Sequence, residues 1–153
     1  MRVLGVQCTA NYAFLSVVEN GRVIDLGPDR LAPAKSTDED QALWETLSTF
    51  TTALDEISPD SVHLLGPGTG DGARQIYQAS APKAELETLL RMAASKRNLP
   101  VHKVSRARVT TDLGVPRRGK FEDAVRPVVP EHGRYWMAGR LAAAAAALTG
   151  EDA

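Results

Sequence analysis

Along residues 1–26, apolar side chains come in short runs broken by turn residues. Val3, Leu4 and Val6 predict a strand over residues 1–7. Phe14, Leu15, Val17 and Val18 predict a second over residues 12–19. Asn20-Gly21 follows, the pair that a type I′ hairpin turn favours because both central residues need positive φ. It predicts a third strand over residues 22–26, antiparallel to the second. Gly27-Pro28-Asp29 breaks that strand, and residues 30–34 are expected to continue extended. The period then changes. Leu43, Leu47, Phe50, Leu54 and Ile57 recur at steps of 4, 3, 4 and 3, which is one apolar stripe of a helix. Ser36 and Glu39 fit the capping box that opens such a helix, and Ser58-Pro59-Asp60 closes it. Trp44 lies beside the stripe and is expected in the core or at an interface.

The second half alternates helix and strand. Residues 61–65 read as a short buried strand, residues 83–97 as a helix, and residues 100–104 as another strand. Residues 112–133 contain Pro116, Pro127, Pro130 and three glycines, so a loop is expected there, with one short helix near residues 120–125. A last helix is expected over residues 135–148, stopped by Gly150; its run of alanines is strongly helix-forming. The order β-β-β-α-β-α-β-α predicts one α/β domain over residues 1–153, a mixed sheet with helices on its faces.

Composition sets bounds on this picture. A chain of 153 residues can bury a core without disulfides, and 43% hydrophobic with 24% charged residues is ordinary for a globular protein. No apolar run approaches a membrane span of about 18 residues, so no membrane partner is expected. Cys8 is the single cysteine and is expected to be buried. The first residues lead straight into a strand pattern, and the expected location is cytoplasmic. Charge is unevenly spread. Residues 91–140 hold 12 basic against 4 acidic residues, and residues 1–90 hold 6 against 13. An anionic partner for the second half is one reading; a surface whose halves neutralise each other, within a chain or between copies, is the other.

Few motifs carry chemistry. Residues 68–73 fit G-x-G-x-x-A after a strand, but the following helix is cut short before Pro82 and no acid stands at the expected strand end, so a surface loop is the better reading. His63, His102 and His132 show no metal-ligand spacing, although His63 and His102 fall in adjacent predicted strands. Asp38, Glu39 and Asp40 suit the first turn of a helix. Glu122 and Asp123 suit a surface helix. No metal and no cofactor are expected.

The whole layout resembles the RNase H-like fold and, within it, the RuvC-type Holliday-junction resolvases. "RVLGVQCTANYAFLSVVENGRVIDL" resembles that family's opening strand and hairpin. "LPVHKVSRARVTTDLGV" resembles a later strand and its exit, "GKFEDAV" a helix start, and "YWMAGRLAAAAAAL" the final helix. The resemblance implies a mixed sheet of five strands, the first three antiparallel, flanked by helices. It also implies four acids holding two divalent ions about a scissile phosphate. Carried over, those positions fall on Gln7, within residues 64–66 where no acid stands, and on Trp136 and Gly139, with Arg140 next door. The family's strand-exit lysine falls on Thr110, while Lys120 keeps the lysine before the helix.

A glutamine amide supplies no charge, and Trp136 and Arg140 would oppose bound cations. The expectation is therefore a catalytically inert domain with no catalytic residues, in which Gln7 and Trp136 fill the former metal site beside Gly139 and Arg140. Arg106 and Arg108, two apart at a strand exit, are expected on one side. Arg117, Arg118 and Lys120 follow in the loop, completing a candidate rim for DNA or RNA. Three alternatives stay open. The rim could pair with Asp38, Glu39 and Asp40 of the same chain or a second copy, making the module a homodimer or a binder of another protein. Asp71 or Asp112 could support a divergent metal-dependent nuclease. The glycine loop could serve a nucleotide-binding regulator.

Overall fold

The structure is a computed structural model and describes residues 1–66 and 77–150. Its strands are β1 (Arg2–Cys8), β2 (Ala13–Glu19), β3 (Arg22–Ile24), β4 (Arg30–Leu31), β5 (Ser61–Leu65) and β6 (Val101–Val104). Its helices are α1 (Glu39–Ile57), α2 (Tyr77–Ser95), α3 (Arg106–Leu113), α4 (Phe121–Val125) and α5 (Leu141–Leu148). Among the described residues the sheet runs β3-β2-β1-β5-β6, with β4 also paired to β2. β1 pairs antiparallel with β2 and parallel with β5. The expected mixed sheet with a central first strand is present. The sixth strand is the two-residue β4, from the segment expected only to be extended. Asn20 and Gly21 take φ of 53° and 77°, the positive pair that the turn requires.

Alternation along β1 sorts the core. Leu4, Val6 and Cys8 face α1 and α2, meeting Leu47, Phe50, Leu54, Leu86 and Leu90 in one aliphatic cluster. The predicted stripe of α1 is thus buried, apart from the half-buried Leu43. Trp44 is not core: it is 64% exposed, on a groove that α1 shares with Leu89 and Met92 of α2. The N-cap is Asp38 rather than Ser36; its carboxylate accepts from the backbone of Asp40 and Gln41. α2 begins six residues before the predicted start and carries Pro82 inside it, in its second turn, where the missing N–H removes one helical hydrogen bond.

The other face of β1 carries Val3, Gly5 and Gln7, and against it lies α5. A Cβ on Gly5 would overlap the Ala143 carbonyl, so strand and helix approach to backbone contact. Residues 142–147 are all alanine and all buried, which permits that approach. Polar pegs fix the helix to the sheet: Ser16 Oγ donates to the Arg140 carbonyl at 2.7 Å, and His63 Nδ1 lies 2.8 Å from the Ala146 carbonyl, which makes it the donor. A second apolar cluster, with Leu65, Val104, Val109, Val125, Val129 and Trp136, continues from α5 beneath α3 and α4. Among the described residues no helix is long and apolar enough to cross a membrane.

Candidate functional site

Gln7 ends the row that faces α5, at the C-terminal edge of β1. Three other elements come together near that end, two of them bonding Gln7 itself. The first is the turn before α5, which runs through Trp136–Arg140 as a π-type turn and kinks at Gly139. Gly139 lies so close over the Phe14 ring that any Cβ would overlap it. The second is α3. Ser105 caps it, its Oγ accepting from the Arg108 amide at 3.1 Å. The third is the α3–α4 loop with the start of α4.

The cap at Ser105 corrects the expectation for Arg106 and Arg108. The strand stops at Val104, and both arginines stand in the first turn of α3. Two positions on a helix are about 200° apart, so they point to different sides. Arg108 turns to Asp112 at 3.7 Å and donates to the Gly150 carbonyl. Arg106 turns to Gln7. The Gln7 amide has one orientation that satisfies both neighbours: its nitrogen donates to the Gly139 carbonyl at 3.2 Å, and its oxygen accepts from Arg106 at 3.1 Å. Arg106 also lies 4.8 Å from the Phe121 ring centre and 3.8 Å from Glu122.

Arg106, Arg117, Arg118 and Lys120 line one open cleft of about 320 Å³, with Thr110, Gly119 and Phe121 on its walls. Arg117 is steadied by Thr111 Oγ1 at 2.7 Å. Among the described residues Arg118 and Lys120 have no ion-pair partner. Arg108 does not line the cleft. Asp38, at the cap of α1, is occupied with backbone amides and does not pair with this rim inside the chain. Four cations around one cleft suit a polyanion, and an arginine fork suits phosphate oxygens.

Trp136 and Arg140 have different surroundings. Trp136 is buried in the second apolar cluster. The Arg140 side chain turns toward β2: Nε donates to the Leu15 carbonyl at 2.9 Å, and Nη1 to the carbonyls of His132 and Arg134 at 2.7 and 3.1 Å. Asp29 stands 3.6 Å from Nη2. Arg140 is a buried tie between β2 and the turn before α5. Gln7 meets the Gly139 carbonyl and Arg106, and the sequence placed Arg106 elsewhere.

Among the described residues, those around Gln7 do not fit a pair of divalent ions. Among the described residues no group of three or more His, Cys, Asp or Glu is placed to hold a metal. Gln7 is neutral and already bonded to a guanidinium, whose charge opposes a cation at that point. His63 and His102 do approach, at 5.6 Å between ring centres and edge to face, but His63 is buried with Nδ1 committed to α5. Asp112 is held by Arg108. Asp71 and the glycine loop from Gly68 to Ala73 lie outside the described residues. Cys8 is buried in the aliphatic cluster; burial, with Glu87 adding and Lys83 opposing, pushes its thiol up to about 12.

Sequence reasoning missed one cluster altogether. The Arg30 guanidinium lies between the rings of Tyr12 and Tyr135, 4.0 Å from each centre. Tyr12 also meets Phe14, with ring centres 5.7 Å apart. These residues are far apart in the chain and share no motif. The one signal would have been the pairing of Phe14 with Arg30, which needs β4 to be recognised as a strand.

Comparison with known proteins identifies the fold. The chain matches Thermus thermophilus RuvC in complex with a Holliday junction substrate at TM-score 0.73 and 18% identity, over 97% of this chain and 91% of that one. A second Thermus thermophilus RuvC structure matches at 0.71 and 18%, over 97% and 92%. The yeast mitochondrial Holliday junction resolvase Ydc2 matches at 0.57 and 14%, over 96% and 75%. No family model matches the chain, and no curated protein does. The chain therefore has the RNase H-like, RuvC-type fold.

Proposed function

We propose that this chain is a RuvC-type domain that binds nucleic acid and does not cleave it by metal-dependent hydrolysis. The observation that carries the reading is the Gln7–Arg106 bond at the end of β1. Where a two-metal nuclease needs dense negative charge, this chain has an amide and a guanidinium. The same arginine opens into the basic cleft with Arg117, Arg118 and Lys120, so the end of β1 attracts phosphate instead of cations. A structural neighbour seen with a Holliday junction substrate supports DNA as the polyanion. A cytoplasmic setting accords with the single, buried Cys8.

The resolvase fold itself favours a second reading, a divergent nuclease that draws on Asp71 or Asp112. One experiment separates the two. Purified protein is incubated with four-way junction, duplex and single-stranded DNA in Mg²⁺ or Mn²⁺, and binding is followed with and without EDTA. The expected result is binding that survives EDTA and no product. Metal-dependent turnover that disappears in Asp71→Asn or Asp112→Asn would establish the nuclease instead.

A further inference from the structure

We infer that the Tyr12–Arg30–Tyr135 stack is a base-stacking and phosphate-gripping platform for single-stranded nucleic acid. It rests on the proposed nucleic-acid reading and extends it to residues on the opposite flank of Gln7.

The platform is continuous with the basic cleft. Gln7 bonds both Arg106 and Gly139, Gly139 packs on the Phe14 ring, and Phe14 meets Tyr12. Gln7 and Phe14 are paired across β1 and β2, and Phe14 and Arg30 across β2 and β4, so all three side chains share the α5 face. A chain of packed contacts, through the buried Phe14 and Gly139, therefore links the cleft to the stack.

The chemistry of the stack suits an unpaired strand. The Arg30 guanidinium carbon lies over both phenol rings, 4.0 Å from each centre, which holds the group in place. Among the described residues its side chain makes no hydrogen bond or ion pair, so its N–H edge is left to engage a phosphate. Each tyrosine turns one ring face to Arg30. Both residues are only partly buried, so part of each tyrosine stays open to solvent beside the guanidinium. Tyr135 holds φ 58° and ψ 25°, a left-handed conformation that a bulky side chain adopts at a cost. That conformation starts the turn that carries Gly139 and aims the ring at Arg30. Arg134, which is exposed, lies 5.6 Å from the Tyr135 ring centre, and its charge offsets Asp29 at 3.6 Å. Stacking of a base on an aromatic ring needs that base out of a duplex, which selects single-stranded or splayed nucleic acid.

The test compares fluorescein-labelled oligothymidylate with an abasic deoxyribose-phosphate strand of equal length, by anisotropy. The two carry the same charge and differ only in bases. Wild-type protein is expected to bind oligothymidylate at least about tenfold more tightly, since each stacked base contributes on that scale. Tyr12→Leu with Tyr135→Leu keeps apolar bulk and removes the rings. It should bring the ratio of oligothymidylate to abasic affinity down to about one, with folding of the variant checked separately by urea unfolding. Equal wild-type affinity for the two strands overturns the platform and leaves phosphate binding standing; that comparison needs no variant. Tighter binding of a blunt duplex than of oligothymidylate overturns it too. Failure of the wild-type protein to bind any of these strands would overturn the nucleic-acid reading itself.

Discussion

The two faces of the sheet are built on opposite principles. Toward α1 and α2 the contacts are large and interlocking: Leu4, Val6, Leu15 and Val17 against Phe50, Leu54, Leu86 and Leu90. Toward α5 they are small: Gly5 against Ala143, and Gly139 against the Phe14 ring. Burial of bulk holds the first face, and close backbone approach with a few polar pegs holds the second. The candidate site lies on the second. Glycine at 139 lets the turn before α5 settle low over Phe14, which brings its carbonyl within reach of Gln7. A bulky helix on that face would stand too high to do so.

The contrast is sharpest in opposite substitutions. On the bulky face, Phe50→Ala removes a fully buried ring and should cost about 3–5 kcal/mol, read from urea unfolding. On the close-packed face the damaging change is an addition. Gly5→Ala places a methyl inside the Ala143 carbonyl, and either strand or helix must move, at about 1–3 kcal/mol. A neutral Gly5→Ala would show that α5 does not sit at backbone contact. Unchanged stability in Phe50→Ala would remove α1 from the core.

Much of the bulky face was legible in the sequence, and little of the site was. The α1 stripe and the hairpin announce themselves because period and turn chemistry are local. The first cap was misplaced by two residues because Ser36 and Asp38 both suit a cap, and the choice depends on where the backbone turns. α3 was missed because residues 106–113 are polar on most positions and follow a strand without a break residue; Ser105 was the available signal. With α3 unseen, Arg106 was set beside Arg108 and away from Gln7. Arg140 was assigned to the site by position along the last helix, but the turn at residues 136–140 redirects it to β2. The Arg30 stack depends on three segments meeting, and no single segment encodes it.

Cys8 gives a pH test of the bulky face. Its folded-state value is above the ordinary thiol value of 9.0, at about 12. Below pH about 9 both states keep the proton and the group adds no pH dependence. Between about 9 and 12 the unfolded chain releases a proton that the folded chain retains, so stability falls as pH rises, by up to about 1.4 kcal/mol per pH unit. Unfolding free energies at pH 8 and pH 10 should differ more for the wild type than for Cys8→Ala. Equal pH slopes in the two proteins would mean that the thiol is accessible to water.

The smallest effect on stability, and the most telling for the site, belongs to the cleft rim. Arg117→Ala with Arg118→Ala touches no core contact; among the described residues the pair makes one hydrogen bond, from Arg117 to Thr111 Oγ1, and it is exposed. Stability should therefore stay within about 0.5 kcal/mol of wild type. Affinity for DNA should fall with every sequence alike, because phosphate contacts carry no base information. Each lost phosphate contact also removes about 0.9 from the log–log salt slope on duplex DNA, so the double variant should flatten that slope by up to about 1.8. If the rim instead serves a second copy through Asp38, Glu39 and Asp40, the salt titration of DNA binding will be unchanged. Sedimentation will then shift between wild type and variant. Such a result would move the basic half from nucleic acid to self-association and leave the contrast between the two sheet faces intact, since neither Arg117 nor Arg118 contributes to it.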